Sequence, residues 1–372
     1  MGLFVFEKLS KMLPGVGAET MIIVFYTPTL SVGGYEKVVV NYANALAKME
    51  NSVIILCGKE GELRKNVSTK VTVINLNIRA RGFLFALTRF LKQNRDIDIL
   101  YVPFRMFTAA AVIAKAVSHS DVCIYGAQHG FEGKLPFILK ILYRTIIINA
   151  DVLTAVSKTV ADSEALQLGI PAERYYVLNN PVLDSGLDFS KFQKYTTPTA
   201  VISGRLAKDK HCEIPIKIIR CVNQTSDIQM LVLGDGPELN SLKALVEEYH
   251  LQSRVKFLGY VSNPIQYMLG AKLYYITSEI ESFGNGVVEA MYAGLPVVTT
   301  DCGGPVELIE KGKYGVCIGR FDSEDVVKRG TEATLDILLG RIEFADMRKK
   351  AMSYIADQLI EQFLRPYYEH FE

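Results

Sequence analysis

From residue 21 onward the chain alternates short, nearly continuous apolar runs with amphipathic segments, and it does so in two rounds. No other feature restricts the fold as much. Met21–Tyr26, Ser52–Cys57, Val71–Leu76, Ile97–Val102, Val122–Tyr125 and Val152–Ala155 are rich in β-branched residues and read as strands buried on both faces. Lys37–Lys48, Phe83–Gln93 and Leu135–Ile147 read as helices between them. Such alternation builds a parallel sheet with helices on both sides. Asn179–Thr199, rich in Asn, Asp, Ser, Thr and Pro, interrupts the pattern and reads as a linker. The second round predicts strands at Ala200–Ser203, Gln229–Leu233, Val255–Leu258, Leu273–Ile276 and Pro296–Thr299, with helices at Ile214–Cys221, Glu238–Glu248, Asn285–Ala293 and Pro305–Glu310. From Arg341 the chain is helical with no strand left to pair, a segment expected to pack across both lobes. At 372 residues, two cores are the natural outcome. The expected division is an amphipathic extension at 1–20, one α/β domain at 21–190, a second at 191–345, and a crossover helix at 346–372.

Composition narrows the function. With 49% hydrophobic and 22% charged residues the chain is no disordered polymer, and 41 basic against 40 acidic residues leave no excess to hold nucleic acid. The six cysteines are scattered without a CxxC pair, and the five histidines do not cluster with them. No metal site is expected, and reduced thiols in the cytoplasm are. The most apolar stretch, Leu135–Val156, is broken by Lys140, Arg144, Asn149 and Asp151, which falls short of a membrane span. The first residues match no secretion signal, and Phe6 stands where a myristoylation motif needs Ser or Thr. Residues 1–190 carry 20 Lys or Arg against 16 Asp or Glu, a surplus of +4, and the remainder carries −3. Arg79 and Arg81 precede FLFALTRFL, while Lys134, Lys140 and Arg144 interleave Phe137, Ile138, Leu142 and Tyr143. Two readings stay open for these helices: docking to an anionic membrane surface, or ordinary amphipathic packing on a sheet. Residues 1–14 read as a second surface anchor or a frayed extension.

Three segments carry chemistry. Gly33 and Gly34 sit at a strand-to-helix turn, where a ligand can approach the backbone and helix amides face an anion. Neither GxGxxG nor GxxxxGK[ST] occurs, which removes the main support for hydride transfer and P-loop phosphoryl transfer. GRLAKDK puts Arg205 and Lys210 directly after a strand, where two cations can neutralise a diphosphate. In SEIESFGNGVVEAM, Glu281 and Glu289 stand eight residues apart around the loop-to-helix turn Gly284–Asn285–Gly286. Both carboxylates can accept from sugar or ribose hydroxyls while the turn's amides cap oxygen atoms. Read alone, each has a plain explanation: a tight turn, solvated cations, a helix cap.

Taken in order, the segments resemble the retaining glycosyltransferases of family four, which have the GT-B fold. The resemblance rests on S-x-x-E-x-F-G-x-x-x-x-E-A-M-x-x-G-x-P-V-V from Ser278 to Val298 and D-x-G-G-P-x-E at Asp301–Glu307. GGxE (Gly33, Gly34, Glu36), His129–Gly130, Val156–Lys158, NNPV at Asn179–Val182, GRL-x-x-x-K at Gly204–Lys210, LGDGP at Leu233–Pro237 and V-x-F-L-G-x-V at Val255–Val261 fit around it. It is nearest to bacterial enzymes that extend lipid-linked oligosaccharides or surface polysaccharides. It implies two Rossmann-like parallel-sheet domains facing a central cleft, acceptor side first and nucleotide-sugar side second, with a C-terminal helix crossing back over both.

The resemblance also implies roles. Arg205 and Lys210 hold the donor diphosphate, assisted by backbone at Gly33–Gly34. Glu289 takes the ribose hydroxyls. Glu281 and the amides of Phe283, Gly284 and Asn285 hold the donor sugar. Gly259, Tyr260 and Val261 flank the base, and His129 bonds the sugar near the reacting carbon. The implied reaction moves a hexose or N-acetylhexosamine from a nucleotide sugar, a UDP-sugar by preference, to a lipid-linked or cell-surface glycan. It uses no metal and no cofactor, and it takes place in the cytoplasm, peripheral to the inner face of the plasma membrane. The single DxD triplet, Asp96–Ile97–Asp98, opens a strand away from the expected site. A nucleotide-sugar epimerase or a phosphorylase shares this architecture, although no motif supports the pyridoxal-phosphate lysine a phosphorylase needs. A non-catalytic scaffold typically lacks the cations or the glutamates, which are present here.

Overall fold

The structure, a computed structural model, describes residues 20–31, 33–183 and 194–371. The expected amphipathic extension and the middle of the expected linker therefore lie outside the described residues, Thr20 aside. Among the described residues, one compact unit combines 20–183 with 355–371, and the other spans 194–354.

In the first unit, β1 (Ile22–Thr27), β2 (Ser52–Cys57), β3 (Thr72–Asn75), β4 (Ile99–Pro103), β5 (Cys123–Gln128), β6 (Val152–Ala155) and β7 (Tyr175–Val177) form one parallel sheet in the order β3-β2-β1-β4-β5-β6-β7. The connecting helices are α1 (Gly34–Lys48), α2 (Phe83–Gln93), α3 (Phe104–Ser118), α4 (Phe137–Ile147) and α5 (Lys158–Leu168). Successive strand residues face opposite sides of a sheet. Accordingly Tyr26 meets Phe83 of α2 and Phe107 of α3, while its neighbour Phe25 meets Phe363 on the other side. Covered on both faces, β4 and β5 bury every residue, which is why the apolar runs are continuous rather than alternating.

The second unit has β8 (Thr199–Ser203), β9 (Gln229–Leu233), β10 (Val255–Gly259), β11 (Leu273–Ile276), β12 (Val297–Thr299) and β13 (Gly315–Cys317), parallel and ordered β10-β9-β8-β11-β12-β13. Its helices are α6 (Glu213–Val222), α7 (Leu239–Glu248), α8 (Ile265–Met268), α9 (Asn285–Tyr292), α10 (Gly304–Leu308), α11 (Val326–Leu338) and α12 (Met347–Ala351). A last helix, α13 (Ala356–Phe371), belongs to the first unit. These are the two Rossmann-like sheets of the GT-B expectation.

Strands β2, β6, β9 and β11 coincide residue for residue with the sequence reading. The edge strands β7 and β13 were not foreseen. Each has three residues, too few to show a periodicity. The C-terminal stretch is also not one long helix. It is divided between the units, with a 3₁₀ turn at Met352–Tyr354 separating α12 from α13. Arg348 of α12 donates to Tyr292 O at 3.0 Å, whereas Phe363 of α13 packs among Phe25, Tyr42, Tyr101 and Tyr125. The two basic–apolar helices also differ from each other. α2 buries Phe83, Leu87, Phe90 and Leu91, so ordinary packing on the sheet accounts for that face, while Phe85 on the other is 79% exposed. α4 buries Ile147 alone.

Candidate active site

In a parallel sheet the chain turns opposite ways from two adjacent strands at one place, and the loops at their carboxyl ends part to leave a crevice. In the second unit that switch lies between β8 and β11. The loop after β8 supplies Arg205 and, in a 3₁₀ turn at Lys208–Lys210, Lys210. The loop after β11 supplies Glu281. Two hydrogen bonds pin the loops together: Glu279 N donates to Asp209 O at 2.8 Å, and the Thr277 hydroxyl donates to His211 O at 3.0 Å. Lys210 Nζ consequently stands 2.7 Å from Glu281 Oε2, both side chains half-buried. Asp209 lies 3.5 Å from Arg205 and 3.8 Å from Lys210, so the four groups form a charge chain Arg205–Asp209–Lys210–Glu281. The separate roles expected for Lys210 and Glu281 thus fall on two groups already in contact.

Glycines make this crevice possible. Gly204 N donates to Leu233 O, and Leu206 N to Asp235 O, each at 2.9 Å, which lays the LGDGP turn directly on the GRL loop. At Gly234, with φ 154°, a Cβ would lie 1.8 Å from Gly204 O, so only glycine fits. Gly234 N in turn donates to Gly259 O at 2.8 Å, which brings Gly259, Val261 and the exposed Tyr260 to the same row of loops.

Behind Lys210 and Glu281, Gly284 adopts a left-handed conformation (φ 96°, ψ 59°) and opens α9. Glu281 N donates to Cys302 O at 2.7 Å and Gly304 N to Glu281 O at 2.9 Å, so this residue's backbone is fixed and its side chain faces the crevice. The Phe283 side chain is buried and meets the Tyr354 ring edge-on at 5.7 Å, so it serves the fold. Asn285 and Glu289 are half-buried in α9. The buried Tyr274 hydroxyl, 3.0 Å from Ser203 Oγ, has its pKa pushed up by burial first and then by the charges of both Glu289 and Glu281. Both carboxylates thus act electrostatically on this one hydroxyl.

The first unit switches between β1 and β4. After β1, Gly33 caps α1 in an extended conformation, and a Cβ there would lie 2.1 Å from Glu36 Oε2. The Glu36 carboxyl thus rests on the turn that was expected to face an anion, and burial raises its pKa. After β5, His129 packs against Tyr35 with ring centroids 4.6 Å apart, and its Nε2 lies 2.6 Å from Tyr101 Oη. Burial lowers the His129 pKa to about 3, against a smaller opposing effect of hydrogen bonding to Asn180. Burial also holds the Tyr101 hydroxyl well above its usual range. At neutral pH this is an uncharged imidazole–phenol pair, suited to hydrogen-bonding a sugar hydroxyl and unsuited to acting as a cation.

Behind the His129 loop lies a network that escaped the sequence reading. Arg105, next to Phe104 with its φ of 58°, is 2% exposed. It donates to both Glu164 oxygens at 2.6 and 2.5 Å and to Gly133 O at 3.0 Å, while its backbone N–H donates to Glu132 Oε2 at 2.8 Å. Burial alone would lower the Arg105 pKa, but hydrogen bonding and charge from Glu164 outweigh it and leave it raised. Asp98 of the DxD triplet accepts from Ile22 N at 2.7 Å, at the opposite, amino-terminal end of the strands. Among the described residues no cluster of three His, Cys, Asp or Glu is placed to hold a metal.

Two family models divide the chain between them: Glycosyltransferase Family 4 over residues 32–184 and Glycosyl transferases group 1 over 186–350. The N-acetyl-alpha-D-glucosaminyl L-malate synthase of Bacillus anthracis is 27% identical over 296 residues, covering 74% of this chain and 76% of its own length. The O-antigen biosynthesis glycosyltransferase WbnH of Escherichia coli is 28% identical over 279 residues, covering 73% and 79%. Among solved structures, Anabaena Alr3699/HepE in complex with UDP superposes with a TM-score of 0.69 at 19% identity, over 93% of this chain and 100% of that one. With one model on each sheet unit and this shared architecture, the chain belongs to the GT-B glycosyltransferases of the family 4 type.

Proposed function

We propose that this glycosyltransferase takes a hexose or N-acetylhexosamine from a nucleotide diphosphate sugar, a UDP-sugar, and transfers it with retention to a glycan, lipid-linked or destined for the cell surface. The observation that carries the reading is the charge chain Arg205–Asp209–Lys210–Glu281 at the β8/β11 switch. The UDP held by the Anabaena neighbour and the O-antigen role named for the Escherichia coli relative support the donor and acceptor classes.

In this reading the anomeric C–O bond to the β-phosphate breaks and a new C–O bond forms to an acceptor hydroxyl. That hydroxyl's proton passes to the departing phosphate oxygen on the same face. Negative charge grows on the diphosphate as the bond breaks, and Arg205 and Lys210 stabilise it without a metal or a cofactor. Gly33 and Gly34 assist at the diphosphate. Glu289 accepts from the ribose hydroxyls, and Gly259, Tyr260 and Val261 flank the base. Glu281, with the amides of Phe283, Gly284 and Asn285, orients the sugar, and the neutral His129 hydrogen-bonds it near the reacting carbon. The enzyme works on the cytoplasmic side, peripheral to the inner face of the plasma membrane. Nucleoside diphosphate release from a panel of nucleotide sugars, with and without glycan acceptor, tests the reading. Acceptor-dependent release supports transfer. Donor binding with no release under any acceptor would instead make the protein a nucleotide-sugar-binding scaffold.

A further inference from the structure

We propose that the outward face of α4 inserts into an anionic lipid bilayer and holds the first unit at the membrane surface. The inference deepens the lipid-linked-acceptor reading by naming the surface that meets the membrane. A helix lying on a sheet normally turns its apolar stripe inward. α4 does the reverse. Phe137 is 75% exposed, Ile138 79%, Ile141 49% and Leu142 52%, and Ile148 follows at 41% just past the helix end. These positions recur at the spacing of one helical face and form a stripe, with Leu139, 41% exposed, beside it. Beside it, at the end of α5, Leu166 is also strongly exposed. An apolar patch of this kind on a soluble surface marks an interaction site.

Charge selects the occupant. Residues 134–150 contain Lys134, Lys140 and Arg144 and no Asp or Glu. Lys140 Nζ donates to Leu166 O at 3.3 Å, so this cation flanks the stripe. Arg144 is exposed and lies near Gly169, just past α5. Outward apolar side chains on a segment whose charged residues are all cations complement an anionic lipid surface: the chains enter the acyl boundary while the cations meet headgroups.

The test uses the full chain sedimented with sucrose-loaded vesicles of phosphatidylglycerol or phosphatidylcholine. Wild type is expected to pellet with phosphatidylglycerol at low salt and more weakly with phosphatidylcholine. Ile138→Asp with Ile141→Asp should abolish pelleting with both lipids. Lys134→Glu with Arg144→Glu should weaken binding to phosphatidylglycerol by on the order of 25-fold at low salt, about fivefold for each cation lost, with little effect at high salt. Gel filtration and thermal melting of the isoleucine variant should match wild type, because exposed side chains support no core. Wild type remaining in the supernatant with phosphatidylglycerol would overturn the proposal. So would a wild-type oligomer that the isoleucine variant dissolves without change in pelleting, or a large fall in its melting temperature. Donor turnover with a water-soluble glycan is read in parallel and stays at the wild-type rate, so failed docking and failed transfer are told apart.

Discussion

Replacing Arg105 by methionine should be among the most damaging single changes in the first unit. The variant keeps an unbranched side chain and removes the guanidinium. That leaves Glu164, 3% exposed, with the Gln128 amide at 3.3 Å as its one side-chain donor among the described residues, and it strips the Gly133 carbonyl of its donor. Removing one partner of a buried ion pair costs about 3–5 kcal/mol, because the remaining charge stays desolvated. For a unit of this size, about 2–4 °C per kcal/mol gives a fall of roughly 6–20 °C in its melting transition. Glu164→Met alone should cost a similar amount. The double variant should recover most of the loss, since an apolar pair of similar volume replaces the ion pair without leaving a bare charge. Calorimetry of wild type, both single variants and the double variant measures the coupling, with the second unit's transition as an internal reference. A single-variant loss below about 1 kcal/mol, or simple additivity, would refute the reasoning. Because Gly133 and Glu132 lie within the His129 loop, the single variants should also lower kcat more than they raise the KM for donor.

Glu289→Gln should weaken donor binding more than it slows the chemical step, since ribose contacts are equal in ground and transition states; titration calorimetry beside single-turnover rates decides, and intact affinity with collapsed turnover would reassign Glu289 to the chemistry. Burial lowers the His129 pKa to about 3, below an unfolded value near 6.5, so the unfolded chain binds the extra proton between those values. Its contribution to stability is therefore complete above pH 6.5 and falls as pH drops toward 3, with about 1–2 kcal/mol lost by pH 5. Urea denaturation of His129→Gln should be flatter than wild type across that window, and parallel curves would contradict the buried neutral imidazole.

Strand positions were legible wherever apolar runs were long enough, as in Ser52–Cys57 and Gln229–Leu233. Tyr175–Val177 and Gly315–Cys317 were not, because three residues pairing at a sheet edge carry no period. The break at Met352–Tyr354 contains neither proline nor glycine. It arises from the packing of Tyr354 on Phe283 and the pairing of Ile355 with Leu183, contacts between residues far apart in the chain. Glu281 and Glu289 stand out in the sequence as a pair because they lie eight positions apart around a glycine turn. The Lys210–Glu281 contact was not, since only the adjacency of β8 and β11 joins positions 71 apart. Nothing in the sequence singled out Asp209 in GRLAKDK or Arg105 in its apolar run. The contacts of Asp209 with Arg205 and Lys210, and the burial of Arg105 on Glu164, show what each one holds. His129 looked solitary in the sequence until Tyr101, on the neighbouring strand, supplied its partner.

The central claim is that Arg205 and Lys210 stabilise a departing nucleoside diphosphate. Single-turnover release of UDP from UDP-sugars in the presence of a glycan acceptor, compared among wild type, Arg205→Ala and Lys210→Ala, tests it most directly. Each cation meets charge that grows in the transition state, so each variant should lose roughly 10²–10³-fold in rate, with circular dichroism unchanged. Near-wild-type release by both variants would contradict the claim.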